Sequence, residues 1–446
     1  MRFLGLLAAL LFSLTSLSSA QLNDPGFLVI SGFSNQELLF HSQEIQQTQH
    51  VSDLGTTANV VRVFGERVFV VHSGDFMTGE GAEVWYTTMQ ELSDAVLETR
   101  EPNWTVLPFP DFSNPWDIHV EENTAFVSLT GSGSVEAVDL WNHDPVHSFT
   151  GLDSPQGLAC NGDWIAAAES GFGSGTWVNF INMDDYTELV RMGTPRNPVA
   201  VTADNTGRFH VLCSGASWTF PPAPAHLKRY SSSLAVEETI ELTDYPGAIA
   251  MLTDPDNGEQ RVVVGDEYAV SGQPLQAFDA MDYTPDETVP DWSTGWTLAP
   301  TPTGLALGST TTYGLILCDS DWQPYEGYPV TMTEAVVGLA YADFSDFVVP
   351  DDASIAAIPS SIVLEPAYPN PFNSSSRLAF RLPIGGMTRL TIHNLTGRRV
   401  ATIVQGDFHA GRHEVTFQAA GLASGRYFAV LYAGGSREVT PLTLVR

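Results

Sequence analysis

The sequence predicts an all-β protein, in which a β-propeller of about seven blades is followed by a small Ig-like (immunoglobulin-like) β-sandwich. Three observations lead to this prediction. Short runs of Val, Ile, Leu and Phe alternate with Gly, Asp, Asn, Ser and Pro along 446 residues, which is typical of strands separated by turns. One phrase, a small-residue turn followed by two short strands, recurs along the body of the chain. Finally, charge divides the chain into an acidic body and a basic tail.

The recurring phrase has seven copies in the acidic body. Its clearest copy is NPWDIHVEENTAFVSLTGSGSVEAVDL at 114–140, and the other copies start near positions 58, 155, 198, 246, 302 and 337. Their mean spacing of about 46 residues is close to the length of a four-stranded propeller blade. The phrase resembles the repeats of the YVTN and surface-layer propellers, and this resemblance implies a ring of blades.

The two ends of the body are expected to complete one blade together. The last copy stops near Pro350 after two predicted strands, while the amino-terminal strands at 26–32 and 37–45 lack a preceding first strand. Pairing these segments would remove the free edges of an open ring. We therefore predict a propeller over residues 21–350, with six or eight blades as alternatives to seven.

The amino terminus has the pattern of a secretory signal peptide over residues 1–20. Arg2 precedes a short apolar run, and small residues end at Ala20, after which cleavage is expected. This run is too short for a membrane span, and we find no other apolar stretch of sufficient length. The body also contains three widely spaced cysteines that indicate buried free thiols rather than a disulfide framework: Cys160, Cys213 and Cys318.

Charge distinguishes the body from the tail. Residues 1–350 carry 46 acidic and 10 basic side chains, a net charge of −36, whereas residues 351–446 have a net charge of +3. An acidic body repels phosphate backbones, so nucleic acid is not an expected partner. It attracts divalent cations or basic surfaces, although solubility in a saline medium explains the same charge. The change of sign predicts two domains joined by a linker at 351–361.

The tail, residues 362–446, contains about seven short predicted strands, as a small β-sandwich does. The segments YPNPFN, LTIHNLTGRRVATI, AGRHEVTF and GLASGRYFAVLYAGG follow one another in it. This order resembles the type A C-terminal sorting domain of the type IX secretion system, which is similar to the Ig-like domain of the flagellar hook-capping protein. The residues that carry the resemblance are Tyr368, Pro369, Asn370, Pro371, Phe372, Gly397, Arg398, Gly421, Gly425 and Tyr427.

The resemblance implies an export route. The signal peptide would take the chain to the periplasm, and the type IX machinery would then carry it across the outer membrane. We therefore expect a secreted protein or one on the outer-membrane cell surface, with its tail either removed or retained there. The alternative is an ordinary Ig-like domain with no role in export.

Candidate metal ligands in the body are weak. Asp254, Asp256 and Glu259 lie in the segment DPDNGE, which is either a partial calcium loop or a hairpin turn. His72 and His210 lie on predicted second strands, where they are either channel ligands for a metal or buried histidines with internal partners. No other cofactor is expected from the sequence.

Candidate catalytic and binding groups are equally sparse. Asp319 and Asp321 form a carboxylate pair at a strand exit, and Trp141 and Trp322 lie in predicted loops, where exposed aromatic side chains contact carbohydrate or protein. We find no catalytic serine, zinc-protease or nucleotide-binding motif.

The resulting prediction is a secreted or cell-surface, non-catalytic binding or scaffold protein whose partner is an extracellular protein or glycan. One alternative is an extracellular propeller hydrolase or lyase that uses loop carboxylates or a channel metal. Another is a calcium-stabilised adhesin. Three or more carboxylate or histidine side chains converging at one channel mouth would favour the enzyme, and scattered side chains would favour the binding protein.

Overall fold

The computed structural model describes most of the chain from residue 22 onward. The described residues are 22, 24–44, 46–75, 77–183, 186, 189–266, 269, 273–290, 297–312, 314–344, 363–364, 367–382, 386–394, 399–408, 411–419, 422–433 and 436–445. The predicted signal peptide at 1–20 and the predicted linker at 351–361 therefore lie outside the described residues.

Short strands make up most of the described body. In chain order they are β1 (Pro25–Ser31), β2 (Gln36–Ser42), β3 (Thr48–Gly55), β4 (Ala58–Phe64), β5 (Arg67–Ser73), β6 (Ala82–Thr88), β7 (Thr105–Pro108), β8 (Pro115–Glu121), β9 (Thr124–Leu129), β10 (Ser134–Asp139), β11 (Pro145–Thr150), β12 (Pro155–Cys160), β13 (Trp164–Glu169), β14 (Trp177–Asn182), β15 (Leu189–Gly193), β16 (Pro198–Ala203), β17 (Phe209–Cys213), β18 (His226–Tyr230), β19 (Val236–Glu241), β20 (Ala248–Thr253), β21 (Gln260–Gly265), β22 (Leu275–Asp279), β23 (Thr297–Thr301), β24 (Gly304–Gly308), β25 (Gly314–Asp319), β26 (Val330–Thr331) and β27 (Val336–Asp343).

These strands form seven antiparallel sheets within the described residues, and the sheets are arranged as the blades of a propeller. Their strand orders are β27-β1-β2-β3, β4-β5-β6-β7, β8-β9-β10-β11, β12-β13-β14-β15, β16-β17-β18-β19, β20-β21-β22 and β23-β24-β25-β26. The first strand of each sheet contacts the first strand of the next, from β4 through β8, β12, β16, β20 and β23 to β27 and back to β4. The predicted starts of six copies fall within two residues of the starts of these inner strands, whereas the copy near 302 precedes β24, the second strand of its blade.

One blade joins the two ends of the propeller, as predicted, but the division of its strands differs from the prediction. β27 pairs directly with β1, from Pro25 opposite Asp343 to Ser31 opposite Val336. The carboxyl-terminal side therefore supplies one strand of this blade instead of two, and the amino-terminal side supplies three instead of two. The rest of the last copy, residues 345–350, lies outside the described residues.

Apolar side chains fill the spaces between neighbouring blades. Each consecutive pair of blades shares a buried cluster, for example the one in which Phe180 of β14 and Phe209 of β17 pack with ring centroids 5.2 Å apart. The second strand of each blade is buried along nearly its whole length, as in β5 and β13, whereas the outermost strand β19 is mostly exposed. Burying one such phenylalanine stabilises the folded propeller by roughly 1.5–3 kcal/mol.

One helix, α1 (Met89–Glu98), interrupts the second blade between β6 and β7. The Thr88 side chain accepts a hydrogen bond from the Glu91 backbone N–H, which caps the helix, and Leu92 is fully buried in the adjoining core. The all-β prediction did not include this helix. The insertion explains why the spacing between the copies at 58 and 115 is longer than that of a four-stranded blade.

The described part of the tail forms a separate two-sheet sandwich. Its strands are β28 (Val363–Leu364), β29 (Ser375–Leu382), β30 (Gly386–Asn394), β31 (Arg399–Phe408), β32 (Gly411–Gln418), β33 (Gly425–Ala433) and β34 (Ser436–Leu444), in the sheets β28-β29-β32 and β31-β30-β33-β34. Alternating residues such as Leu378, Phe380 and Leu382 of β29 point into one buried core between the sheets.

Candidate functional site

A central cavity of about 450 Å³ lies where the seven inner strands meet. Each inner strand contributes two or three residues to its lining, including Arg62, His119, Cys160 and Tyr341. In β4 and β12 the lining residues are the last ones of the strand. In β8, β20, β23 and β27 the lining residues lie nearer the middle of the strand, and most of the remaining lining is apolar.

Three groups with metal-ligating atoms come together beside this cavity, and we call them the channel cluster: His119 and Glu121 of β8, and Cys160 at the end of β12. One ligand atom from each lies within 4.8 Å of the others. His119 Nε2 and Glu121 Oε2 are 3.7 Å apart. Because side chains alternate along a strand, residues 119 and 121 share one face of β8, and this face is turned toward β12.

Asp117 fixes the spacing of the two strands that carry the channel cluster. This buried carboxylate accepts a hydrogen bond from the Leu158 backbone N–H of β12 at 3.1 Å, and Arg62 of β4 lies 3.0 Å away from it. Three neighbouring inner strands are thereby tied together at the level of the cluster. The Phe64 ring meets the His119 ring edge-on, with centroids 5.2 Å apart, and restricts the orientation of the imidazole.

Burial sets the protonation of the channel cluster. Burial, assisted by the Arg62 charge, lowers the pKa of His119 to about 4, so its imidazole is neutral at neutral pH. Burial also raises the pKa of the Cys160 thiol, and the nearby Glu121 and Asp163 charges add to this, while a hydrogen bond from the Gly162 N–H opposes it. The resting cluster thus has a neutral imidazole beside a protonated thiol.

The opposite end of the propeller carries exposed aromatic side chains. The inner strands β8 and β12 end at the channel cluster, at Glu121 and Cys160, and the other inner strands run in the same direction. The loops between second and third strands therefore lie at the other end of the propeller, together with the loops that enter the inner strands. Every exposed phenylalanine and tryptophan in the described part of the propeller belongs to these loops or to a strand end beside them. We call this set the aromatic face: Phe33, Phe112, Trp116, Phe172, Trp177, Trp218 and Phe220.

The most prominent part of the aromatic face is formed by two neighbouring blades. Phe172, Trp218 and Phe220 are all at least two-thirds exposed. The Trp218 ring lies against Gly173, where a Cβ atom would stand only 2.4 Å from the ring atom Cζ2, so only glycine fits beneath the ring. Gly173 also has a φ of +92°, and its carbonyl accepts a hydrogen bond from Arg196 Nε at 2.8 Å.

Internal hydrogen bonds order the loop that carries Trp218. The Thr219 hydroxyl donates to the Ala216 carbonyl at 3.0 Å and accepts from the Ala223 N–H at 3.1 Å. Ala216 and Ala223 also exchange two backbone hydrogen bonds across the base of the loop. The exposed rings are therefore presented by a braced loop, which reduces the entropy lost when a partner binds.

The weak calcium candidates form the hairpin turn between β20 and β21. The Asp254 side chain accepts a hydrogen bond from the Asp256 N–H at 2.8 Å, and the Asp254 N–H donates to the Glu259 carbonyl at 2.8 Å. Among the described residues, these three acidic side chains are not brought together around one point. Asp319 likewise caps its own turn, because its carboxylate accepts from the Asp321 N–H at 3.0 Å.

The two histidines considered as channel ligands do not line the channel. His72 is buried in its blade and packs against Trp85, with ring centroids 4.4 Å apart and the rings tilted by 38°. His210 is fully buried, with Nδ1 2.9 Å from the Tyr283 hydroxyl and Nε2 3.3 Å from Asp204 Oδ2. Both lie on the second strands of their blades, as predicted, but the first strand of each blade separates its second strand from the channel.

Two tryptophans predicted in exposed loops have internal roles. Trp322 is 2% exposed, and its indole N–H donates to Asp286 Oδ2 at 2.9 Å. Trp141 is half-buried and packs against the core of the tail sandwich. The aromatic residues that are exposed were not singled out, because a strand-and-turn pattern does not reveal which loop faces solvent.

The segment that resembles a sorting motif ties the beginning of the sandwich to its last strand. The Asn370 side chain donates to the Pro441 carbonyl at 2.9 Å and accepts from the Thr443 N–H at 2.8 Å. Phe372 is buried, and its backbone N–H donates to the Thr443 carbonyl at 2.9 Å. We call these contacts the asparagine latch.

The other residues of that motif have mixed positions. Tyr368 is exposed, and Ser376 donates to the Pro369 carbonyl at 2.8 Å. The Tyr427 hydroxyl donates to the Ala423 carbonyl at 2.8 Å, and Gly425 begins β33. Pro371 precedes the buried Phe372, whereas Gly397, Arg398 and Gly421 lie outside the described residues.

Sequence reasoning missed the channel cluster, although its signal was present. The segment DIHVE at 117–121 places Asp117, His119 and Glu121 at alternating positions of a predicted inner strand, and such alternation puts all three on one face. Cys160 was expected to be a buried thiol, but it is half-buried at the cavity, while Cys213 and Cys318 are fully buried and free.

No helix in the described part of the chain combines the length and apolar composition that a membrane span requires. No protein-family model matches the sequence, and no curated protein matches it either. Several solved structures are similar to it. The Kuenenia stuttgartiensis hydrazine synthase is 14% identical over 59% of this chain and 77% of that chain, with a TM-score of 0.45.

Two further solved structures align over most of their own length. Apo AztD from Citrobacter koseri is 11% identical over 72% of this chain and 98% of that chain, with a TM-score of 0.47. The Neurospora crassa Pan2 WD40 domain is 9% identical over 72% of this chain and 85% of that chain, with a TM-score of 0.43.

Proposed function

We propose that this protein is a secreted or cell-surface binding protein without catalytic activity, and that it binds a protein partner through its aromatic face. The observation that carries the proposal is that every exposed Phe and Trp of the described propeller lies on one face. Exposed aromatic side chains on a rigid framework are the groups that contribute most to binding in protein interfaces.

The composition of the aromatic face favours a protein over a glycan. Four of its seven members are phenylalanines, which cannot donate hydrogen bonds to sugar hydroxyls. The body around it has a net charge of −36. We therefore expect a partner with an apolar centre and a basic rim, since complementary charge speeds association and suppresses wrong partners.

Export by the type IX route is part of the same proposal. It is supported by the signal-peptide pattern at 1–20 and by the motif around Asn370. Peptide mapping of the native protein, from cell envelope and culture medium separately, tests it. Peptides that stop before about Asn370 in the surface form would support a removable sorting domain. Peptides that reach Arg446 would contradict a removable sorting domain and indicate a retained Ig-like module.

Binding at the aromatic face is tested by site-specific photo-crosslinking on intact cells. A photoreactive residue replaces Ser217, an exposed neighbour of Trp218, and the control places the same group at Met281, which is exposed at the opposite end of the propeller. We expect a protein adduct from position 217 and no such adduct from position 281.

The captured partner then allows a quantitative test. Trp218→Ala should weaken its binding by about 30-fold, the effect of losing one interface hot spot, while Met281→Ala should leave it unchanged. The proposal of a protein partner at this face would be overturned by equal adducts from both positions or by equal affinities for both variants. It would also be overturned if glycosidase treatment removed the adduct.

A further inference from the structure

We propose that the channel cluster, His119, Glu121 and Cys160, is a binding site for a borderline-soft divalent metal ion such as Zn²⁺, with a fourth coordination position that opens to the central cavity. This site is separate from the aromatic face, since the two lie at opposite ends of the propeller. The proposal does not depend on the identity of the protein partner or on the export route.

The donor set determines the class of metal. One imidazole nitrogen, one carboxylate oxygen and one thiolate sulfur form the mixed N, O and S set that suits Zn²⁺, Co²⁺ and related ions, whereas Ca²⁺ and Mg²⁺ prefer sites made of oxygen alone. The deprotonated thiolate and the Glu121 carboxylate together balance the two positive charges of the ion. The expected calcium chemistry of the DPDNGE turn is of a different class.

The spacing of the three donors is close to that of a zinc site. Bond lengths of about 2.0–2.3 Å in a tetrahedral arrangement place neighbouring donors roughly 3.3–3.8 Å apart. His119 Nε2 and Glu121 Oε2 already lie 3.7 Å apart, and the complete set lies within 4.8 Å. Small side-chain rotations of Glu121, which is half-exposed, and of Cys160 therefore complete the site without movement of the strands.

An unsatisfied nitrogen marks the centre of this site. His119 Nε2 is buried, and within the described residues it has no hydrogen-bond partner. A buried polar atom without a partner destabilises a protein by about 1–3 kcal/mol, so such an atom calls for an explanation. The imidazole is neutral and offers a lone pair, and a metal ion between Nε2 and Glu121 satisfies it.

The surroundings of the cluster hold the donors without competing for the metal. Asp117 lies on the same face of β8, but its carboxylate is engaged by Arg62 and by the Leu158 N–H. The Gly162 N–H donates to Cys160 Sγ at 3.2 Å, a contact that stabilises a metal-bound thiolate. Metal binding replaces the thiol proton by an S–metal bond and releases that proton to solvent.

A second group of possible metal ligands in the described residues is a useful contrast. Glu37, His50 and Asp53 also lie close together, but they are on the exposed outer part of the first blade. His50 Nε2 is already 3.1 Å from Asp53 Oδ1, with both side chains substantially exposed. This group lacks sulfur, burial and an unsatisfied nitrogen, so it serves as a control.

Cobalt(II) absorption of the purified full chain tests the site directly. We expect one equivalent of Co²⁺ to produce thiolate-to-cobalt charge transfer in the near ultraviolet and the intense visible bands of a four-coordinate ion. Cys160→Ser should remove the charge transfer, whereas Cys213→Ala and His50→Gln should retain it. Absence of charge transfer in the wild type at saturating Co²⁺, or its retention in Cys160→Ser, would overturn the proposal.

Zinc affinity gives the second measurement. His119→Gln should weaken Zn²⁺ binding, measured by competition with a chromophoric chelator, by about tenfold or more, which is the loss that even an outer partner of a metal site causes. His50→Gln should bind Zn²⁺ as the wild type does. Equal affinities for all three proteins would contradict a site at His119.

A third measurement needs no variant and covers the case in which a substitution prevents folding. Alkylation of the native wild type, read by peptide mapping, should modify Cys160, which is the half-exposed cysteine at the cavity. Added Zn²⁺ should slow that modification at least about tenfold. Modification of Cys160 at the same rate with and without Zn²⁺ would overturn the proposal.

Discussion

The propeller and the tail sandwich both attach their first segment to their last strand, but they do so with different chemical groups. In the propeller, β1 and β27 form a backbone ladder that runs from the pair Pro25 and Asp343 to the pair Ser31 and Val336, with one irregularity between Ile30 and Ser31. In the sandwich, the asparagine latch uses one side chain, Asn370, together with the backbone of Phe372. A backbone ladder accepts almost any strand-forming sequence, whereas a latch requires a particular residue. The attachment in the sandwich therefore depends on the identity of one side chain, and the attachment in the propeller depends on backbone pairing.

Most basic residues of the described propeller are engaged in contacts within the protein. In the propeller, six arginines form internal ion pairs with acidic side chains: Arg62, Arg100, Arg191, Arg208, Arg229 and Arg261. The single lysine, Lys228, donates to the Gly193 carbonyl at 2.6 Å. These basic side chains are thus engaged by groups within the propeller. The acidic side chains that outnumber them are therefore left to give the propeller surface its negative charge.

Breaking the propeller ladder should have the largest effect. Val29 is fully buried in β1, which has strand partners on both sides. Val29→Pro removes a ladder hydrogen bond and introduces a steric clash, so we expect a loss of about 3 kcal/mol or more in the free energy of unfolding. Hydrogen exchange should show lost protection within 25–343 and retained protection within 375–444. Val29→Ala, which keeps the N–H, should cost clearly less, and equal losses for both variants would argue against the ladder as the closing element.

Acidification should destabilise the propeller through its buried histidines. Burial is the main cause that lowers the pKa values of three histidines of the propeller: His41, His72 and His210. The pKa of His72 falls to about 4 from its ordinary value of 6.5. The unfolded chain therefore binds more protons between these values, and stability decreases as the pH falls from about 6.5 to about 4.

His72→Phe isolates this contribution. Both proteins should lose stability between pH 7 and pH 4, as measured by the free energy of unfolding in urea. The loss should be about 3 kcal/mol smaller in His72→Phe than in the wild type, because a shift of one pKa unit corresponds to about 1.4 kcal/mol. Parallel pH curves for the two proteins would show that His72 does not couple protonation to folding.

Opening the asparagine latch should have the smallest effect. Asn370→Ala removes two side-chain hydrogen bonds to β34, and we expect it to destabilise the sandwich by about 1–2 kcal/mol while leaving the propeller unchanged. The matched control is Asn373→Ala, since Asn373 is exposed three residues away, and surface substitutions of this kind stay within about 0.5 kcal/mol. Hydrogen exchange across β34 distinguishes the two variants, and equal exchange would contradict the latch.

The sequence was most informative about the repeated blades. It was least informative about the two departures from the repeat, namely helix α1 and the blade that joins the two ends of the propeller. The copies near 58, 115, 155 and 198 coincide with the starts of inner strands, because Pro or small residues at a blade entrance leave a local pattern. Helix α1 was missed since its capping residues lie inside an otherwise strand-like region. The wrong division of the closing blade had a different cause: pairing between distant segments leaves no local pattern at all.

The candidate sites were harder to predict for a geometric reason. His72 and His210 were correctly assigned to second strands, but only the ring shows that first strands line the channel. Cys160 and His119 lie 41 residues apart in consecutive blades, and their proximity follows from the contact between the inner strands β8 and β12, which the strand-and-turn pattern does not show. Trp322 was expected in an exposed loop, yet the fold buries it beside Asp286.

The packing of Trp141 against the sandwich has an optical consequence. All ten tryptophans precede residue 323, so the tail contributes no indole emission of its own. Removing the tail would expose the Trp141 ring to water and shift its fluorescence to longer wavelengths. The protein thus contains its own fluorophore for following, in real time and without a label, whether the tail is docked on the propeller or has been released.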